Sequence, residues 1–393
     1  MMLNLDKSTW QRVKIGDVVN ASKEKVDPSS GDVERYIAGE HMDSDDLKIH
    51  RWGKVGDKDL GPAFHRRFRP GQVLYGSRRT YLRKVSVADF DGVCANTTFV
   101  LETADGNRLL QEFLPLVMTS ESFHAYAIGE SKGSVNPYVN WSDIARFEFD
   151  LPPLVEQKRI ADLLWTVEQD SRASHDLFSS LARVRSAQIN DAISRITDRH
   201  STSSLDSLIE KGRPITYGIL KPGIGQEDGV PVVKVRDYPA GEIQTHNLLR
   251  TTEEISNNYK RSLLKEGDLL ISIRGTVGRM ARVPAELEGA NITQDTARLS
   301  IDKRHDSNYV RLVLESDYGQ NQIRRSMTGL AVKGINIGEL RKISIPIPEN
   351  AEDKSSFVQS VGTIDDAMRN VSQRLDSEKG ITTALLSSIF GDS

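Results

Sequence analysis

The stretch from Leu151 to Ile196 limits what this chain can fold into more than any other. It opens LPPLVEQKRIADLLWTVEQ and thereafter contains neither Pro nor Gly. Ile160, Leu163, Leu164, Val167, Leu177, Leu181, Val184 and Ile193 recur at spacings that keep them on one face of a helix. Pro152 and Pro153 stand where missing amide donors cost least, and Glu156 suits the positive end of the helix. At 1.5 Å per residue, roughly 40 residues make a rod of about 60 Å. Such a rod cannot bury its apolar stripe on one small domain and needs a second helix.

A second helix is expected from Ile345 to Ile389, where prolines again precede an acidic first turn. Phe357, Val361, Ile364, Met368, Val371, Leu375, Ile381, Leu385 and Ile389 form its stripe. Helices of similar length, each emerging from its own domain, can pack as an antiparallel coiled coil, with seams of this period as the contact. The spacing between the halves is regular. Gly71 in FRPGQVLYGSRRT and Gly267 in LKEGDLLISIRGT, and likewise Pro152 and Pro346, stand nearly 200 positions apart. The helix is one half of an internal repeat.

Between the helices the expectation is α/β (α+β): two globular domains with mainly β cores, related by a pseudo-twofold repeat. The boundaries read as 1–150 for the first globular domain, 151–197 for the central long helix, 198–344 for the second globular domain and 345–393 for the C-terminal long helix. In the first domain, strands are expected at Gln72–Tyr75, Val93–Leu101 and Phe147–Leu151, and a helix at Leu109–Ser120 kinked by Pro115. Gly129–Asn140 reads as a loop. In the second domain, Asp198–Ser204 reads as a linker. Strands are expected in VPVVKV, DLLISI and ARLSI, a helix from Tyr309, and a loop at Thr328–Asn336 that matches the one at 129.

A chain of 393 residues with 38% hydrophobic and 27% charged content has room for two cored domains. Its net charge of −3 gives no bulk positive field, yet the charge is unevenly placed. From Leu60 to Ala88 there is no Asp or Glu, while Arg66, Arg67, Arg69, Arg78, Arg79, Arg83 and Lys84 all fall there. From Tyr318 to Gly338 acids are again absent, and Arg324, Arg325 and Lys333 are present. Local basic patches on a near-neutral chain fit selective phosphate contact. Cys94 is the single cysteine, which excludes a disulfide framework and points to a reducing, cytoplasmic setting. No signal core or membrane-length apolar run is read, so no membrane partner is expected.

Catalytic motifs fail on context. Gly129-Glu130-Ser131-Lys132-Gly133 fits G-x-S-x-G, but Val135, Pro137 and Val139 follow where a nucleophile elbow needs a helix. There is no Walker loop, H-E-x-x-H or G-x-G-x-x-G. Asn136-Pro137-Tyr138 lacks one proline of the amino-methyltransferase motif N-P-P-Y. No metal-ligand spacing is found, so neither catalytic residue nor metal nor cofactor is expected.

Two variable globular units, each followed by a long helix that opens on a proline-rich strand end, resemble the specificity subunit of type I restriction-modification enzymes. LPPLVEQKRIADLL at 151–164 carries the most specific likeness, and IPIPENAEDKSSFVQSVGTID at 345–365 is its weaker copy. GDLLISIRGTVGRMARVPAELEGANITQD at 267–295 and GQVLYGSRRTYLRKVSVADFDGVCANTTFVL at 71–101 resemble the family's recognition-domain cores. The resemblance implies a non-catalytic subunit whose two target recognition domains each read one half of a split double-stranded DNA sequence. It implies that the paired helices hold these domains apart and dock two modification subunits, methyltransferases that bring S-adenosylmethionine. ATP-dependent restriction subunits can join such a complex. On this reading the DNA contacts come from basic, glycine-relieved loops: Arg78, Arg79, Tyr81, Arg83 and Lys84; Ser131, Lys132, Ser134 and Asn136; Arg274, Thr276 and Arg279; and Thr328, Lys333 and Asn336. The alternatives are a sequence-reading module of another phage-defence complex, a coiled-coil scaffold without base readout, and a methyltransferase with fused recognition domains.

Overall fold

The computed structural model describes residues 5–198, 201–225, 227–239, 241–329, 333–348 and 350–391. The chain divides into two compact units, Met1–His175 with Gln373–Ser393, and Asp176–Ser372. The division falls inside both long helices, Leu154–Thr197 and Ala351–Phe390.

In the first unit, Gln11–Lys14 pairs antiparallel with Glu148–Leu151, so the start of the domain is hydrogen-bonded to the strand that leads into the long helix. A four-stranded antiparallel sheet runs in the order Val19–Ala21, Thr98–Thr103, Val73–Gly76, Val85–Val87. A second sheet runs Gly53–Lys54, Arg35–Ile37, Gly92–Ala95, Phe64–Phe68, with one parallel pair in its centre. The run Val73-Leu74-Tyr75 is apolar without alternation because both faces of its sheet are covered. Val73 and Tyr75 enter a core with Leu101, Phe113 and Phe123, and Leu74 enters another with Ile37, Phe68 and Cys94.

The second unit repeats the plan. Thr202–Ser204 pairs antiparallel with Ser344–Pro346. Thr216–Tyr217, Thr296–Leu299, Leu269–Ser272 and Met280–Arg282 form the four-stranded sheet. Leu249–Thr251, Val230–Val233 and Asn291–Ile292 form a three-stranded one, again with a parallel pair. Leu269 and Ile271 face one core and Leu270 the other. Equivalent positions from the turn before the central strand to the helix cap that follows keep an offset of 196. Gly71 and Gly267 both take left-handed φ, +87° and +82°, at the turn before the central strand. Ser120 and Ser316 both N-cap the helix that follows, Glu121–Gly129 and Asp317–Arg325.

Several local expectations change. Val93–Leu101 is two strands in different sheets, broken at Asn96-Thr97. Pro115 opens the short helix Leu114–Met118 and does not kink a longer one. Thr202–Ser204, expected as linker, is a strand, and residues 199–200 of that linker lie outside the described residues.

The long helices follow the proline-rich strand ends directly, at Leu154 and Ala351, and their stripes are not continuous. In the first unit Ile160, Ala161 and Leu164 share a core with Leu385 and Ile389. In the second, Ile189 and Ile193 share one with Phe357 and Val361. Rising numbers on one helix meet falling numbers on the other, which is antiparallel packing. Leu163, Leu177, Val184 and Ile381, placed in the stripes from sequence, are 40–55% exposed. Polar pairs replace them: Ser174 meets Glu378 at 3.4 Å, Arg374 pairs with Asp170, and Gln188 donates to Ser360 at 2.7 Å. Gln157 is wholly buried at the start of the first long helix. It accepts from the Leu110 amide at 2.9 Å and donates to the carbonyls of Arg108 and Pro152 at 2.8 Å each. At the second long helix Asn350 accepts from the Glu352 amide at 2.9 Å and serves as a cap.

Candidate nucleic-acid interface

The loop at 129–140 is a small hairpin. The Lys132 amide donates to the Tyr138 carbonyl at 2.8 Å and Tyr138 donates back at 2.9 Å. Val139 N reaches Ser77 O at 3.0 Å, and Arg78 bridges Tyr138, so the hairpin lies along the segment leaving Val73–Gly76. The second unit builds the same three-line ladder. Thr328 and Gly334 exchange bonds of 2.9 and 3.0 Å, Ile335 N reaches Ile273 O at 3.0 Å, and Arg274 bridges Gly334. Arg78 and Arg274 are thus equivalent, as are Lys132 and Thr328. Asn336 matches Asn140: both open short helices, Ile337–Arg341 and Trp141–Ile144.

The basic run at 60–88 is largely neutralised by acids distant in sequence. Arg67 pairs with Asp91 at 2.5 Å, Arg69 with Glu24 at 2.7 Å, and Arg83 with Asp45 and Glu121 at 2.8 and 2.5 Å. Arg66 donates to Thr98 O at 2.8 Å and Lys84 to Gly39 O. Among the described residues, Arg78 and Arg79 are the members of that run without such a partner. Arg78 lies over the Tyr138 ring at 6.0 Å. Arg79 has φ +50° and its amide donates to Pro137 O at 2.6 Å. A left-handed arginine costs about 1–2 kcal/mol. Holding it beside the hairpin stores strain where an exposed cation is presented.

Several expected contact residues are occupied within the fold. Ser131 Oγ lies 2.6 Å from Thr80 Oγ1 and donates to Ala127 O at 2.8 Å. Lys132 Nζ donates to buried Asp143 at 3.0 Å. That bond, with those from Asn140 and Arg146, holds the Asp143 carboxyl down at about 2. Asn336 accepts from the Glu339 amide at 2.9 Å. Arg279 donates to Val235 O at 3.2 Å. These groups shape the loops. The outward set is Arg78, Arg79, Tyr81, Ser134 and Asn136 in the first unit, all exposed, with Val135 84% exposed at the hairpin tip. In the second unit it is Arg274, Thr276, Thr328 and Lys333. Arg274 stands 4.0 Å from Asp295 across an exposed surface, and Gly275 and Gly278 turn its loop with φ of +70° and +88°. Residues 330–332 of the second hairpin lie outside the described residues. Sequence reading missed Tyr138 and the pairing role of Asn140; the spacing Asn140-x-x-Asp143 was the available sign.

Among the described residues no group of three or more His, Cys, Asp or Glu could hold a metal ion, and no helix is long and apolar enough to cross a membrane. Cys94 is buried, and burial pushes its thiol up to about 12.

Comparison with known proteins gives a single family. Residues 7–175 and 222–382 match the family model described as type I restriction modification DNA specificity domain. The chain is 27% identical over 271 residues to the type I restriction enzyme EcoBI specificity subunit of Escherichia coli. That match covers 61% of this chain and 57% of the relative's length. It is 20% identical over 312 residues to the MjaVIII specificity subunit of Methanocaldococcus jannaschii, covering 73% and 72%. The fold is similar to that of the S subunit of the M. genitalium type I restriction-modification system, with TM-score 0.63, 14% identity and coverage of 100% and 99%. With two family matches spanning most of its length, the chain belongs to the type I restriction-modification DNA specificity family.

Proposed function

We propose that this chain reads a bipartite double-stranded DNA target, with residues 1–150 and 198–344 as recognition domains that each take one half-site. The observation that carries this reading is the repeated ladder. In both units an exposed arginine, Arg78 or Arg274, leaves the central strand beside a short hairpin, at equivalent positions. A guanidinium so presented can bind a guanine edge with two hydrogen bonds, while neighbouring amides and hydroxyls hold phosphates. Arg79, Tyr81, Ser134 and Asn136 complete the first surface; Thr276, Thr328 and Lys333 complete the second. Arg83, Lys84, Ser131, Lys132, Arg279 and Asn336 position these loops from behind.

The chain has no proposed catalytic group. We assign methylation to two modification subunits that bind S-adenosylmethionine, docked on the long helices, with ATP-dependent restriction subunits joining the same complex. Support for docking comes from apolar side chains that the helices leave exposed: Val155, Leu163 and Ile381 in the first unit, Leu177 and Val184 in the second.

The test is methylation-site sequencing with the assembled complex. Arg78→Ala and Arg274→Ala should each cost about 1–3 kcal/mol and relax one position in one half-site, a different half for each variant. Full affinity and specificity in both variants would refute the assignment. A scaffold without base readout predicts the same methylated sites for every variant.

A further inference from the structure

The second unit holds another cationic site, at the far end of the strand Leu269–Ser272 from the Arg274 loop. Arg298 pairs across from Leu270, four positions before Arg274. A cavity of about 660 Å³ opens there, lined among others by Arg213, Lys260, Arg261, Lys265, Glu288 and Arg298. Arg298 is only 3% exposed. It donates to the carbonyls of Leu263 and Pro214, at 3.1 Å each, and its Nε has no partner. No carboxylate is free to meet it. Asp268, buried beside it, already accepts two bonds from Arg213 at 3.0 and 2.8 Å, one from Ser300 at 2.7 Å and one from the Lys265 amide at 2.8 Å. Glu210 stands 3.8 Å from Arg213 and Glu288 lies on the wall. Five cations therefore meet three carboxylates, and the buried guanidinium of Arg298 is paired with none of them. Burial, and then the nearby Arg213, lower the hold of Arg298 on its proton, as unmatched buried positive charge should. The first unit lacks the feature: at the equivalent positions Gln72 donates to Glu102 at 2.7 Å.

A buried guanidinium with unused donors, at the base of a cavity rimmed by lysines, suits a planar or tetrahedral oxyanion. We propose that this cavity binds a phosphate group, held at its base by Arg298 and at its rim by Lys260, Arg261 and Lys265. The phosphate comes either from the DNA backbone or from a free phosphate or nucleotide.

The test titrates inorganic phosphate into the full chain by calorimetry, in phosphate-free and sulfate-free buffer, and repeats it with a short duplex of random sequence. Saturable binding of one phosphate per chain is expected. Lys260→Ala/Arg261→Ala/Lys265→Ala, all three on the exposed rim, should weaken it roughly tenfold or more. Arg298→Met should abolish it, and the rim variant keeps the proposal testable should Arg298→Met fail to fold. If phosphate competes with the duplex and the rim variant flattens the salt dependence of duplex binding, the source is the DNA backbone. If phosphate binds without competition, the source is a free anion. Absence of saturable phosphate binding, or equal binding by the rim variant, overturns the proposal.

Discussion

Replacing Asp365 with alanine opens a closed ring of charge in the second unit. Arg185 on the first long helix meets Asp365 on the second at 2.5 Å, and reaches Glu315 at 2.7 Å. Arg311 closes the ring, to Glu315 at 3.1 Å and to Asp365 at 2.9 Å. All four side chains are 18–20% exposed, so water screens the ring only in part. Breaking a buried pair from one side costs about 3–5 kcal/mol, and the remaining exposure reduces this to about 2–3 kcal/mol. Asp365→Ala strands two guanidiniums on one carboxylate. Asp365→Leu with Arg185→Met removes charge from both sides and should recover most of the loss, because packed apolar groups replace such pairs at little cost. Urea unfolding, followed at the transition of the second unit, measures both. The pH dependence has a definite sign. Burial works against ionisation of Asp365, and the hydrogen bonds from Arg185 and Arg311 outweigh it, so its carboxyl titrates below the usual range. A depressed native value adds stability above the unfolded value near 4 and loses it as pH falls through the native value. The gap between wild type and Asp365→Ala should therefore be full at neutral pH and close in acid below about 4. A gap under about 0.5 kcal/mol at neutral pH, or a double variant as unstable as the single one, would refute the argument.

Three further outcomes are expected. Gln157→Ala leaves the Leu110 amide and two carbonyls without partners in a buried place, and should lower stability by about 2–3 kcal/mol in thermal unfolding. Arg79→Gly removes an exposed cation and relieves a left-handed backbone, so the unfolding midpoint should not fall while affinity for DNA drops by roughly fivefold or more. Cys94 should resist thiol reagents in the native chain and react fully in denaturant, as its buried, high-pKa thiol requires.

Much of the architecture was legible because it rests on periodicity and punctuation. Pro-free and Gly-free runs marked the long helices, and the paired glycines 71 and 267 marked the repeat, since both turns need left-handed backbone. The pairing of charges was not legible. Arg69 is neutralised by Glu24 and Arg83 by Glu121, partners 45 and 38 positions away, so an acid-free run in sequence did not mean a positive surface. The interior of the helix seam also escaped, because Ser174 and Glu378 are buried polar residues that no apolar pattern includes. Asn136 and Asn140 look alike in a polar loop; only the register of the hairpin tells which one caps a helix and which one faces outward.

The division of the chain bears on its synthesis. The second unit is one continuous segment, Asp176–Ser372, while the first joins Met1–His175 to Gln373–Ser393. On the ribosome the second unit has all of its sequence before the first does. Until Gln373–Ser393 emerges, Ile160, Ala161 and Leu164 lack Leu385 and Ile389, and Phe113 lacks the tilted ring of Phe390 that packs 5.8 Å away. Of the two units, the one whose translation starts earlier is thus the later to close. During that interval it exposes an apolar strip that chaperones would recognise, and a stop before Gln373 would leave the strip open permanently.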